Sequence, residues 1–376
     1  MTPFGITAPA RILFGRGEAA KAAGLIRAFG DRGVLIHGAN PARAAWLVTA
    51  LGSQVLALPC AGEPTLADLE AALTAARAHR PAWVVALGGG AALDLGKALA
   101  ALIPAPDGPL HHLEVAGQGL PLQADPLPFI AIPTTAGTGA EVTKNAVIGL
   151  PDLGRKVSLR DDRMVARLAI VDPALTDGCS RAVALASGLD AVTQVIEPYV
   201  SVKATPYTDA LARPAIGLGM SALMRLMQGD DQAEARDRMA WVSLCGGLAL
   251  ANAGLGAVHG FAGVIGGMTG AAHGAICGAL LGPVLQANRA AATGMARHRL
   301  DEVCAVLAGT LGSSAAEAPS ALQAWARAEG LPGLAALGVT EDQHATIVAA
   351  ARQASSMKGN PVALPDATLH EVLMRA

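Results

Sequence analysis

The sequence predicts a mainly parallel, Rossmann-like α/β domain followed by an all-α domain. Three observations predict it. Over the first half, short β-rich runs alternate with helical patterns, the order of a sheet whose strands return through crossover helices. After Asp172-Pro173 the β-branched runs stop, and Ala, Leu, Gly and Met at helical spacing continue to the C-terminus. The chain has 376 residues, 52% of them hydrophobic, which is enough for two substantial cores. The change of texture places the boundary near Thr176–Ser180, giving domains over residues 1–178 and 179–376.

Taken in order, Gly33–Gly38 (GVLIHG) reads as a buried strand, followed by a helix near Pro41–Leu51. Val55–Leu58 is a second strand, and Leu66–His79 an amphipathic helix with Thr65 as its N-cap. Trp83–Leu87 is a third strand that runs into Gly88-Gly89-Gly90, with a helix from Ala91 to Leu102. Phe129–Ile132 is another strand, leading into PTTAGTGAE at Pro133–Glu141. Short strands at Ala146–Ile148, Lys156–Leu159 and Leu168–Val171 are expected to close the sheet.

Composition removes several function classes. Net charge is −2, and no basic run is present, so neither nucleic acid nor an anionic membrane surface is an expected partner. Five scattered cysteines without CxxC spacing predict reduced thiols in a cytoplasmic protein. The N-terminus lacks a basic start followed by an apolar core, so no signal peptide is expected. From Met239 to Asn288 no Asp, Glu, Lys or Arg occurs, a run long enough for two membrane spans. Its Asn, Gln and His residues, its glycines and its unflanked ends favour a buried helical core.

That uncharged run holds His259 and His273 within GLGAVHGFAGVIGGMTGAAHG. One continuous helix would separate them by roughly 21 Å, too far for a shared ligand. The glycines between them (Gly266, Gly267, Gly270) permit a bend, so we read two buried helical segments whose imidazoles converge. Two separately satisfied core histidines are the alternative. Asp190 and Gln194, at i and i+4 in GLDAVTQVIEPYVS, share a helix face. One Asp and two His make a credible three-ligand set for a divalent metal with an open position; a helix N-terminal charge is the plainer role for Asp190.

In the first half, Gly88-Gly89-Gly90 ends a strand and opens a helix, where close backbone approach and free N–H groups suit a phosphate. Leu93 stands where GxGxxG would need its last glycine. Thr134, Thr135 and Thr138 follow a neighbouring strand, and hydroxyls at that edge of a parallel sheet suit a dinucleotide. Taken singly, each loop also reads as a purely structural turn.

The succession GGGAALDLGK, PTTAGTGAEVT, GLDAVTQVIEPYVS and then VHG with AAHG resembles the iron-containing (group III) alcohol dehydrogenase family. The likeness extends over nearly the whole chain, from ILFGRG to GNPVALP. It implies a dinucleotide-binding domain, an all-helical domain, and a metal and nicotinamide that meet in the cleft between them. It also implies a homodimer. By position, Gly89 and Gly90 would hold the pyrophosphate, Thr134, Thr135 and Thr138 would line the cofactor, and Asn145 and Lys156 would contact it.

Gly38 stands where NAD-preferring relatives carry an Asp. A 2′-phosphate is therefore not repelled, and Arg43 is near in sequence, so the reading leans to NADP over NAD. Asp190, His259 and His273 match the metal ligands, with Gln194 in the place of a further His. An amide is a weaker ligand for iron or zinc. Gly263 replaces another family His, which enlarges the pocket and leaves the proton donor unassigned. Cys277 reads as an oxidation-sensitive thiol or an inert small apolar residue.

The implied activity is NAD(P)-dependent interconversion of an alcohol and an aldehyde or ketone, with Asp190, His259 and His273 as the catalytic metal set. The alternatives are a metal-free carbonyl reductase resembling maleylacetate reductase, a synthase resembling dehydroquinate synthase, and a non-catalytic NAD(P)-binding protein.

Overall fold

The computed structural model describes residues 3–229 and 232–376. By internal contacts these fall into two units, one of residues 7–135 and 139–177, the other of the N-terminal residues up to Ile6, residues 136–138 and residues 178–376.

The first unit is built on a six-stranded, all-parallel sheet. Its strands are β1 (Ile12–Phe14), β2 (Gly33–Gly38), β3 (Val55–Cys60), β4 (Trp83–Gly88), β5 (Phe129–Pro133) and β8 (Leu168–Val171), in the order β1-β8-β5-β4-β2-β3. Strands β4, β5 and β8 are wholly buried, as continuous apolar runs between two helical layers must be. The crossovers carry α1 (Ala22–Arg27), α2 (Ala45–Leu51), α3 (Leu66–His79), α4 (Gly90–Leu102) and the single turn α5 (Pro109–His112). Helix α3 starts in a capping box: Thr65 Oγ1 accepts from the Asp68 amide while Asp68 Oδ2 accepts from the Thr65 amide at 2.9 Å.

Two strands depart from expectation. Strands β6 (Asn145–Leu150) and β7 (Arg155–Arg160) do not join the main sheet but pair antiparallel with each other. The alternating burial of β6 is the reason, since only one of its faces is covered. The short β1 takes an edge place instead, beside β8.

The second unit is helical: α6 (Arg181–Val200), α7 (Pro206–Gln228), α8 (Gln232–Ala253), α9 (Ala257–Thr269), α10 (His273–Ala291), α11 (Gly294–Leu311), α12 (Ala318–Ala328), α13 (His344–Gln353) and α14 (Asp366–Arg375). One continuous apolar core joins them. The buried face of α6 is nearly its whole C-terminal half, and α7, α8 and α10 pack around it. Small residues set the approach: a Cβ at Gly274 would stand 2.4 Å from the Ala186 carbonyl oxygen, and one at Gly278 would stand 2.7 Å from Leu189 Cδ1. The bend in the uncharged run falls at Gly270, with φ 69°, while Gly266 and Gly267 remain helical. No single helix among the described residues is long and apolar enough to cross a membrane.

Candidate metal and dinucleotide sites

Helix α6 supplies one wall of a polar cluster inside an otherwise apolar unit. Asp190 points from its middle and is 1% exposed. The turn at Gly270 carries the chain from α9 to α10, so His259, in the first turn of α9, and His273, the first residue of α10, converge with ring centroids 5.3 Å apart. His259 Nε2 lies 3.4 Å from Asp190 Oδ1, and His273 Nε2 lies 3.8 Å from the same oxygen. Cys277, one turn along α10, places Sγ 3.6 Å from His273 Nε2 and 3.9 Å from His259 Nε2. The four ligand atoms lie within 4.8 Å of one another.

The support behind this cluster fixes its chemistry. His259 Nδ1 donates to Glu197 Oε2 at 2.6 Å, which turns Nε2 toward Asp190 and Cys277 as the nitrogen that could bind a metal once its proton is displaced. Glu197 Oε1 accepts from the Val258 amide at 2.7 Å. The carboxylate can stand there because Gly256 has no Cβ, which would sit 2.8 Å from Glu197 Oε1. Asp190 Oδ1 is buried and receives no hydrogen bond of acceptable geometry. A buried carboxylate oxygen without a donor calls for a cation.

The electrostatics agree. Burial disfavours a charged His273, yet the neighbouring Cys277 and Asp190 outweigh it and push its pKa up to about 9. His259 is likewise held well above its ordinary value, against burial, chiefly by Cys277 and Glu197. Burial raises Asp190, but His273 and His259 overcome it and hold the carboxyl below the usual range. The cluster attracts positive charge. One carboxylate oxygen, two imidazole nitrogens and a sulfur within this span fit a divalent metal ion.

Gln194 is buried one turn after Asp190, and its Nε2 donates to the Gly137 carbonyl at 2.8 Å. Gly263 is one turn beyond His259 on α9, and a Cβ there would meet open space. Tyr199 donates its hydroxyl to the Glu302 carboxylate under the Arg299 guanidinium, 4.9 Å from the ring centroid.

The glycine and threonine loops meet at the C-terminal edge of the parallel sheet. A Cβ at Gly88 would stand 3.4 Å from the Gly38 amide nitrogen, so the ends of β2 and β4 adjoin. The Thr134 amide donates to the Gly88 carbonyl at 2.9 Å, and Thr135 Oγ1 would lie 3.3 Å from a Cβ at Gly89. Gly89 caps α4 without a side-chain hydrogen bond, and Gly90 is the first helical residue, so the opening amides of a 13-residue helix are left to a ligand. Gly38, Gly89, Gly90, Thr134 and Thr135 are thus brought together.

The remaining expected contacts are held as follows. Thr138 belongs to the segment 136–138 that packs with the helical unit. Asn145 opens β6, and its carbonyl accepts from Lys97 Nζ at 2.8 Å. Lys156, on β7, forms an ion pair with Glu63. Arg43 donates to the Leu175 carbonyl at 2.7 Å.

Glu197 and Lys97 were passed over in the sequence reading, and Cys277 was read as an oxidation-sensitive or inert thiol, not as part of the site. Cys277 follows His273 by four residues, and Glu197 follows Asp190 by seven; both spacings put the pair on one helix face. Lys97 is fully buried on α4 and also donates to Ala140 O at 2.8 Å and Thr143 Oγ1 at 2.9 Å, tying the threonine loop and β6 to the helix. The signal was a charged residue set in the apolar run LGKALAAL.

Comparison with known proteins adds the following. The profile described as iron-containing alcohol dehydrogenase matches residues 9–173, and the C-terminal profile of the Fe-containing alcohol dehydrogenase family matches residues 184–376. The chain is 38% identical over 244 residues to the probable alcohol dehydrogenase EutG of Escherichia coli K12, a match covering 64% of this chain and 60% of that relative. The crystal structure of sulfoacetaldehyde reductase from Bifidobacterium kashiwanohense in complex with NAD+ superposes with a TM-score of 0.86 at 27% identity, covering 100% of this chain and 98% of the other. Maleylacetate reductase from Agrobacterium tumefaciens superposes with a TM-score of 0.79 at 26% identity, with the same coverage.

Proposed function

Because the chain belongs to the iron-containing alcohol dehydrogenase family, we propose that it interconverts an alcohol and an aldehyde or ketone with a nicotinamide dinucleotide as hydride carrier. The observation that carries this is the buried cluster of Asp190, His259 and His273, with its unpaired carboxylate oxygen, in the same chain as a glycine-threonine edge suited to a dinucleotide. Asp190, His259 and His273 hold the metal, with Gln194 as the further candidate on the face of α6. A divalent iron or zinc ion held there supplies Lewis acidity toward the substrate oxygen.

The chain's own residues do the rest. Glu197 keeps His259 in the tautomer whose Nε2 faces the site. Gly89, Gly90 and the first amides of α4 take the pyrophosphate, while Thr134, Thr135 and Thr138 line the nicotinamide half. Asn145 and Lys156 are the further cofactor contacts. The open space at Gly263 gives the substrate room. Gly38 leaves a 2′-phosphate unopposed, which supports NADP as the preferred cofactor. The five cysteines, none of them in a disulfide among the described residues, support a reducing, cytoplasmic setting, and the dimer implied by resemblance is checked by light scattering.

The test is oxidation of NADPH or NADH by the zinc- or iron-loaded protein against a panel of aldehydes and ketones, with Asp190→Asn beside it. Turnover that disappears on chelation and in Asp190→Asn is expected. Turnover surviving both would overturn the metal-assisted reading. The likeness to maleylacetate reductase supports carbonyl reduction as the second reading, and turnover that survives chelation would favour its metal-free form. NADPH binding without turnover of any carbonyl would leave only a nucleotide-binding protein.

A further inference from the structure

We propose that Cys277 is a ligand of the metal, its sulfur completing a set with Asp190, His259 and His273 and leaving Gln194 outside it. The inference rests on the metal-centred reading given above and departs from it in naming the fourth donor.

The geometry is the first support. With metal–nitrogen and metal–oxygen bonds of about 2.1 Å and a metal–sulfur bond of about 2.3 Å, the edges of a tetrahedron are about 3.4 Å from N to O and about 3.6 Å from N to S. The N–O separations here are 3.4 and 3.8 Å, and the N–S separations 3.6 and 3.9 Å. These four separations lie within about 0.4 Å of tetrahedral edges, and all four ligand atoms lie within 4.8 Å of one another, so the sulfur can take the corner left by Asp190 and the two imidazoles. Cys277 reaches it because Gly274 and Gly278, on the same helix, let α10 approach α6 closely.

The second support is independent of the cysteine. Asp190 Oδ1 is buried, unpaired by any hydrogen bond, and directed at the point the four atoms surround. Gln194, by contrast, donates its amide nitrogen to the Gly137 carbonyl, which ties residues 136–138 to α6 and turns the side chain toward that segment.

The chemistry follows. One carboxylate, one thiolate and two neutral imidazoles offset the double charge of the ion, which suits a site walled by apolar helices. As the metal enters, the protons held by the two imidazoles and the thiol leave to solvent. A sulfur ligand shifts preference toward zinc or cobalt over iron, relative to a set made only of N and O.

The test is replacement by cobalt(II) in the full-length protein, read by absorption. The expected result is one cobalt per chain with a sulfur-to-cobalt charge-transfer band in the near ultraviolet. That band is lost in Cys277→Ser and kept in Gln194→Ala. Zinc affinity measured against a competing chelator falls roughly tenfold or more in Cys277→Ser, since outer-sphere changes alone cost 10–100-fold. Circular dichroism and NADPH binding verify that the variant is folded, and Cys277→Ala serves if the serine variant is not. Stoichiometric cobalt with ligand-field bands and no sulfur band overturns the proposal while the metal reading stands. No cobalt bound at all overturns both.

Discussion

At the residue scale, the site depends on a few glycines and one carboxylate that contact no substrate. Gly274 lets the first turn of α10 touch α6, because a methyl group there would lie 2.4 Å from the Ala186 carbonyl oxygen, a backbone atom that cannot give way cheaply. Gly274→Ala should therefore destabilise the protein by about 1–3 kcal/mol and displace His273, lowering metal stoichiometry. Urea unfolding and elemental analysis check the two effects, and unchanged values in both would refute the packing argument. Glu197 holds His259 from behind. Glu197→Gln keeps the shape but loses the charge that favours the Nδ1–H tautomer, so zinc affinity should drop about 10–100-fold with the fold intact. Chelator competition and circular dichroism measure this.

At the element scale, α4 is pinned to the threonine loop and to β6 through a buried cation. Lys97→Met would take the charged donor from the Asn145 carbonyl and leave the Ala140 carbonyl and the Thr143 hydroxyl with only their bond to each other, at a cost of about 1–3 kcal/mol, and should lower the urea midpoint. The same helix gives a pH signature. Burial drives the Lys97 pKa down from 10.5 to about 8, so between these values the unfolded chain holds a proton that the folded one has lost. Stability from this group is full above 10.5 and is lost as pH falls through 8. Burial raises Glu141 from 4.5 to about 7, so its contribution is full below 4.5 and is lost as pH rises through 7. Together they place a minimum between pH 7 and 8. Urea midpoints across pH 5–10 should show it, with the alkaline rise absent in Lys97→Met and the acid limb absent in Glu141→Gln.

At the scale of the whole molecule, the proposed metal ligands lie in the helical unit and the proposed pyrophosphate contacts in the α/β unit, so on that reading the two ligands should stabilise the protein separately. A ligand at about one hundred times its Kd stabilises the state that binds it by about 2.7 kcal/mol. Zinc and NADPH should therefore each raise the unfolding temperature. Asp190→Asn should abolish the zinc effect and spare that of NADPH, because Asp190 belongs to the helical unit and the glycine edge to the α/β unit. Scanning calorimetry decides it; loss of both effects in Asp190→Asn would show that the two sites are not independent.

Elements with local signals are legible in the sequence. Periodicity and caps gave α3 from Leu66 to His79 with its Thr65 cap, and buried apolar runs gave β2, β4 and β5. A glycine-interrupted apolar run gave two helices in place of one, with the two histidines on either side of the bend. Side-chain spacing along one helix is fixed by the helix, so Asp190 and Gln194 were legible as neighbours. What lies across helices emerges from packing. It decided that the β6–β7 hairpin stands apart from the main sheet, because strand partners are chosen by packing and not by propensity. It decided that Gln194 serves Gly137, that Glu197 serves His259, and that a cysteine readable as apolar filling shares a point with Asp190, His259 and His273. The physical reason is that a ligand set is a convergence of three helices, and convergence is set by which small residues allow close approach rather than by spacing along the chain.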